Sequence, residues 1–142
     1  MYSIEYLAEY SRLHSQLGQQ GWAPASSDPE KWIEADFGSL KRVLKVATQG
    51  RGTDNKWTTL YKLWYENDNG ASYVVGYDGQ ETVFTGNSDS NTVVTNDIEP
   101  SFEGRKVRLF PQSSVGDIVL RWELYGQHVE TYGIFSECTH SY

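Results

Sequence analysis

The stretch VATQGRGTDNKWTTLYKLWY, residues 46–65, begins as a strand and ends as one. Val46 and Ala47 close one apolar run. Trp57, Leu60, Tyr61, Leu63 and Trp64 crowd the next, the aromatic composition of a pleated, half-buried surface. Between the runs lies a hydrophilic tip, Arg51-Gly52-Thr53-Asp54-Asn55-Lys56. Gly, Asp and Asn there favour a turn. A polar tip held between two rigid strands is also a candidate contact surface, because loops on a fixed scaffold are where binding groups tend to sit.

Outward from this unit the chain continues in the same idiom. WIEADF (32–37) alternates Trp32, Glu34 and Asp36 against Ile33, Ala35 and Phe37, and RVLKVAT (42–48) is apolar on both faces. ASYVVGY (71–77) follows the turn signal Asn67-Asp68-Asn69-Gly70, and ETVFT (81–85) follows Asp78-Gly79. NTVVTNDI (91–98), RKVRLFP (105–111) and DIVLRWELYG (117–126) complete the series. Turn signals recur about every 8–12 residues, the spacing of an antiparallel sandwich or barrel. In the last strand Ile118, Leu120, Trp122 and Leu124 share a face expected to be core. Asp117, Val119, Arg121, Glu123 and Tyr125 share the other, expected to be wetter. Upstream, Ile4, Leu7, Ala8 and Leu13 in SIEYLAEYSRLHSQL (3–17) predict a short or irregular helix, and GQQGWAPASSDPE (18–30) reads as loop.

The 142 residues fit one domain, 1–142. A chain of this size buries roughly two thirds of its unfolded surface without staples. Twelve basic residues against nineteen acidic give a net charge of −7, which opposes a broad grip on nucleic acid or anionic lipid. A single cysteine, Cys138, rules out an internal disulfide. No apolar run approaches the ~20 residues that span a bilayer as a helix. MYSIEYLAEY lacks a basic stretch followed by an apolar one, so no signal peptide is expected in this chain.

Catalytic chemistry is hard to find. His14, His128 and His140 have no partners at metal-ligand spacing, and Cys138 with His140 supplies two ligands where a structural zinc site needs four. No nucleophile elbow and no phosphate-cradling glycine loop is present. Glu34 and Asp36 share a strand face, as a glycosidase pair can, but alternation alone puts carboxylates there. Asp54 in GRGTDN and Asp89 in GNSDSN could offer oxygens to calcium, although neither stretch matches an EF-hand loop. Thr53 interrupts what would otherwise be an Arg-Gly-Asp tripeptide.

Six motifs then occur in order between Ser11 and Gly126. They are a W-x-P loop (Trp22, Pro24), W-I-x-x-D-F-G (Trp32 to Gly38), T-Q-G-R-G (Thr48 to Gly52), F-x-G-N-x-D (Phe84 to Asp89), V-R-L-x-P (Val107 to Pro111) and L-R-x-E-L-Y-G (Leu120 to Gly126). Together they resemble the discoidin domain, also called the coagulation factor V/VIII C-type domain. The resemblance covers about 11–126, leaving 127–142 as a C-terminal extension. It implies an all-β jelly-roll, galactose-binding-like, of about eight main antiparallel strands. It implies a non-catalytic module, acting outside the cell or on its surface, that binds ligands through spikes at one end of the barrel. The T-Q-G-R-G tip corresponds to one spike, and residues 86–91 lie near another. The sequence departs from the family in three places. No cysteine pair closes the ends, since Gln127 follows Gly126. The family's first strand is shortened or replaced by MYSIEYLAEY. And the frequent P-x-S-W-H reads Pro111-Gln112-Ser113-Ser114-Val115.

The tips select among ligands. Lipid-binding members present apolar spikes, whereas RGTDNK and NSDSN would bury polar groups at roughly 2–7 kcal/mol each. An apolar spike could come only from Tyr2, Ile4, Tyr6 and Leu7. Members that hold an arginine tail use an aspartate where Ser27 stands here, so the carboxylate partner of a guanidinium is missing. The expected ligand is therefore a cell-surface glycan or glycoprotein. Arg51, Thr53, Asp54, Asn55, Asn87, Asp89 and Asn91 would bond its hydroxyls, and Trp22 or Trp57 would stack on a sugar face. No cofactor is expected, with calcium at Asp54 and Asp89 as the one candidate. The alternative is an adhesion domain contacting a matrix or receptor protein through the same tips. Weak single-site binding would favour a homo-oligomer, for which Cys138 is a candidate link.

Overall fold

The computed structural model describes residues 2–3, 11–15, 21–24, 31–52 and 54–129. The architecture is all-β. Nine strands are present among the described residues: β1 (Tyr2–Ser3), β2 (Ile33–Gln49), β3 (Trp57–Glu66), β4 (Ser72–Val74), β5 (Gly76–Tyr77), β6 (Gln80–Glu81), β7 (Phe84–Thr85), β8 (Val94–Val115) and β9 (Arg121–His128). The main sheet runs β1-β9-β2-β8-β3-β4, with β7 on β3 and a separate β5-β6 hairpin. Every main-sheet pairing is antiparallel.

Two long strands give the sheet its curl. WIEADF and RVLKVAT join into β2, and the runs at 91–98 and 105–111 join into β8. Register shifts interrupt the β2–β8 ladder between Asp36 and Lys41 and again between Val43 and Lys45. Such bulges bend a strand without ending it. Gly38, at φ 72°, occupies the first shift, where a side chain would be strained. Beyond the bend β2 pairs with β8 on one side and β9 on the other, Thr48 facing both Val94 and Trp122.

The turns follow their chemistry. Asn67 Oδ1 accepts from the amides of Asn69 (2.9 Å) and Ala71 (3.0 Å), and Gly70 takes φ 83°. Asp78 and Gly79 both take positive φ between Tyr77 and Gln80, as the hairpin signal predicts. Inside, Ala35, Val43, Val46, Tyr61, Leu63, Val107, Leu109, Leu120, Trp122 and Leu124 are fully buried. Tyr61 stacks on Phe84 and Tyr65 on Phe102, with centroids 5.3 and 4.3 Å apart.

The short or irregular helix expected within 3–17 falls mostly on residues 4–10 and 16–17, which lie outside the described residues. Around them, Tyr2 and Ser3 pair with Gly126 and Tyr125, and Arg12 bridges to Trp122 in parallel. One expectation is corrected. Arg121 and Glu123 were expected on a wet face but are 3% and 4% exposed, because the 11–15 segment covers them. Arg12 pairs with Glu123 at 3.1 Å, and Arg121 donates to Ser15 O. Cys138, His140 and the rest of 130–142 lie outside the described residues, so the candidate link and the extension are not placed.

Candidate functional site

The Arg51–Lys56 tip leaves β2 and re-enters β3, closed by Arg51 N–H donating to Lys56 O at 3.0 Å. The 86–93 loop is laid beside it. Gly86 N–H and Asn87 N–H donate to Thr59 O and Thr58 O at 2.7 and 2.8 Å. Close approach is possible because Gly86 and Gly50 lack side chains. A Cβ at Gly86 would sit 2.5 Å from Thr58 O, and one at Gly50 would sit 2.6 Å from Lys56 O and 3.1 Å from Ser90 Cα. Asn91 Nδ2–H reaches Gly52 O at 3.4 Å. The two polar tips therefore share one pole.

A buried guanidinium holds this pole together. Arg121 donates from Nε to Gly50 O (2.8 Å), from Nη1 to Ser15 O (3.1 Å), and from Nη2 to Ser90 O (3.2 Å) and Asn91 Oδ1 (3.1 Å). Burial lowers its pKa. Gln49 adds a second tie, donating to Asn91 O at 2.6 Å and accepting from His14 N–H at 2.6 Å. Alternation along β9 had assigned Arg121 to solvent; its four acceptors come from three separate segments, which only the fold assembles.

The polar residues of the 87–91 loop are turned to the same purpose. Asn87 is buried, and its Nδ2 donates to Thr48 O and Thr92 O, both at 2.9 Å. Asp89 accepts from Asn91 N–H, Thr92 N–H and Thr92 Oγ1–H at 3.1, 2.6 and 2.6 Å. The Thr92 hydroxyl and amide bonds hold its carboxyl below the usual range. Asn91 is divided between Arg121 and Gly52. Trp22 packs against the core and exchanges backbone hydrogen bonds with Leu120, at 2.8 and 3.0 Å. Trp57 is half-buried at the root of β3, its Cβ close under Gly50. Asp54 pairs with Arg51 at 3.3 Å; Asn55 is exposed, and Thr53 lies outside the described residues. No cluster of three or more His, Cys, Asp or Glu side chains occurs among the described residues. Glu34 and Asp36 face Arg108 (2.9 Å) and Arg105 (3.9 Å) across the sheet.

Beside the tip lies an open groove of about 460 Å³. Ala23 and Pro24 form one side, the 116–119 turn another, and Lys31, Arg51 and Ser114 contribute polar groups. Lys56 braces the turn through a 3.0 Å pair with Asp117. Of the residues expected from sequence, Arg51 alone lines this groove; Trp57, Asn87, Asp89 and Asn91 stand outside its lining. Lys31, Ser114 and Asp117 had been overlooked. The signal available was the departure at Pro111–Val115, followed directly by the Gly116-Asp117 turn.

A curled antiparallel jelly-roll with a polar groove among loops at one pole defines a loop-borne binding domain. The chain belongs to the F5/8 type C domain family, whose pattern matches residues 2–124. Discoidin-2 of Dictyostelium discoideum is 35% identical over 115 residues, 81% of this chain and 44% of that protein. Human contactin-associated protein 1 is 35% identical over 128 residues, 88% of this chain and 9% of that protein. The structure of wild-type discoidin II from Dictyostelium discoideum superposes with a TM-score of 0.76 at 30% identity, covering 89% of this chain and 52% of that one. The chain thus spans at most about half the length of these relatives. Domains of this kind are typically carbohydrate-binding or adhesion modules and generally non-catalytic.

Proposed function

We propose that this domain is a non-catalytic carbohydrate-binding adhesion module, working outside the cell or at its surface, that takes a sugar residue in the groove beside Arg51. The observation that carries the reading is the groove's lining: a guanidinium, an ammonium, a carboxylate and a hydroxyl from Arg51, Lys31, Asp117 and Ser114 around about 460 Å³. Sugar hydroxyls both donate and accept, so a mixed set suits them better than a wall of one sign. Pro24 and Ile118 give apolar surface for the ring's C–H face. The volume falls in the range of small-ligand sites. Membrane insertion disagrees with a pole whose tip carries Arg51, Asp54 and Lys56. The test is a glycan array followed by calorimetry on its hits. Arg51→Ala should lower affinity about tenfold, the loss of one charge-assisted contact, with little change in Tm. Equal affinity in the variant would remove the groove from the site.

A second reading, a protein partner at the same pole, is favoured by the likeness to contactin-associated protein 1. A blank array combined with retained cell binding that Arg51→Ala abolishes would establish it in place of the sugar.

A further inference from the structure

At the far end of β3 a smaller slot of about 50 Å³ opens on the outer face of the sheet. Trp64 and Tyr65 wall it, with Glu34, Glu66, Lys106 and Arg108 around them and Ser72 at the β4 edge. Its parts are held rigidly. Trp64, 38% exposed, donates its indole N–H to Glu81 at 3.1 Å and leans on Phe110, centroids 5.8 Å apart. Tyr65 is clamped between Tyr73 and Phe102. Arg108 lies over the Trp32 ring at 4.1 Å while its Nε donates to Glu34 at 2.9 Å.

The remaining polar atoms are idle. Among the described residues, Arg108 Nη1 and Nη2 and the side chains of Glu66, Ser72 and Lys106 make no hydrogen bond or ion pair. Two cations and two carboxylates balance, so the slot presents both donors and acceptors and no net charge. A fixed indole face, an open guanidinium edge and free carboxylate oxygens match the C–H face and vicinal hydroxyls of a pyranose. Balanced charge inside a chain of net −7 disfavours an acidic ligand.

We propose that this slot is a second carbohydrate subsite, taking the edge of a neutral pyranose against Trp64 with Arg108, Glu66 and Lys106 bonding its hydroxyls. It is separate from the polar groove. Trp57 stands at the loop pole and Trp64 seven residues further along β3, about 23 Å at strand rise. One sugar residue does not reach both. A single domain would then engage two glycan chains and cross-link them, gaining avidity without a second copy.

The experiment is NMR titration of the ¹⁵N-labelled full chain with methyl β-galactoside, methyl β-glucoside and methyl β-glucuronide. The readout is the Trp64 indole N–H, assigned by its disappearance in Trp64→Phe. A neutral glycoside should shift it with millimolar affinity, equally in wild type and in Arg51→Ala. Glu66→Gln, a surface change, should weaken that shift about fivefold through a lost charge-assisted bond. The proposal is overturned if neither neutral glycoside moves the indole, if the glucuronide alone does, or if Glu66→Gln binds as wild type. Loss of the shift in Arg51→Ala would also overturn it, by tracing the effect to the groove. Failure of the groove, by contrast, would leave the Trp64 shift intact.

Discussion

Replacing Arg121 by methionine should loosen the whole loop pole. The stem volume is kept and the charge removed, so the loss is confined to four hydrogen bonds. The bond to Gly50 O is fully buried, and an orphaned carbonyl there costs about 2 kcal/mol. Ser15 O, Ser90 O and Asn91 Oδ1 are part-buried and water can replace the donor, leaving about 0.5 kcal/mol each. Arg121 is 3% exposed, and relief of its buried charge returns about 1 kcal/mol. The net is a destabilisation of about 2–3 kcal/mol, which for a domain of this size lowers Tm by roughly 10 °C. Urea denaturation measures the first quantity. Hydrogen exchange locates it: the amides of Arg51, Ser90 and Asn91 should lose protection well before those of Val46 and Leu63. A loss under about 1 kcal/mol, or uniform loss of protection across core and pole, would refute the reasoning.

Other outcomes follow from the same geometry. Gly50→Ala forces a Cβ onto Lys56 O, Trp57 and Ser90, and should cost about 2 kcal/mol by urea denaturation, with weaker glycan binding. Arg12→Ala uncovers the buried Glu123 carboxylate and should cost about 2 kcal/mol; a value near zero would mean the 11–15 segment does not seal β9. The Asp89 carboxyl titrates below its ordinary value, so its bonds to Thr92 and Asn91 are present at neutral pH and lost as pH falls through that depressed value. Exchange of the Thr92 amide should accelerate in that acid window, and at neutral pH in Asp89→Ala. Chelation by EDTA should leave glycan affinity unchanged, because the Asp54 carboxylate pairs with Arg51 and the Asp89 oxygens are bonded to Thr92 and Asn91. A fall in affinity that calcium restores would put a metal back into the site.

Much of this protein is legible in one dimension. Alternation in residues 32–37 and 56–67, the turns at Asn67–Gly70 and Asp78-Gly79, and six ordered motifs define an antiparallel β-domain whose tips meet at one end. Those signals are local: side-chain period, turn φ values and propensity all act within a few residues. What a side chain does when another segment arrives over it is not local. Arg121 and Glu123 read as solvent-facing by period and are buried because residues 11–15 cross them. Asn87, Asp89 and Asn91 read as ligand-binding by type, yet their hydrogen bonds end on Thr48, Thr92, Arg121 and Gly52. Lys31, Arg51 and the Ser114–Asp117 segment are far apart in the chain and line one groove only after the sheet curls. Composition and period determined the framework. Which polar groups hold the loops together was decided by long-range hydrogen bonding, because a buried donor must find an acceptor wherever the fold brings one.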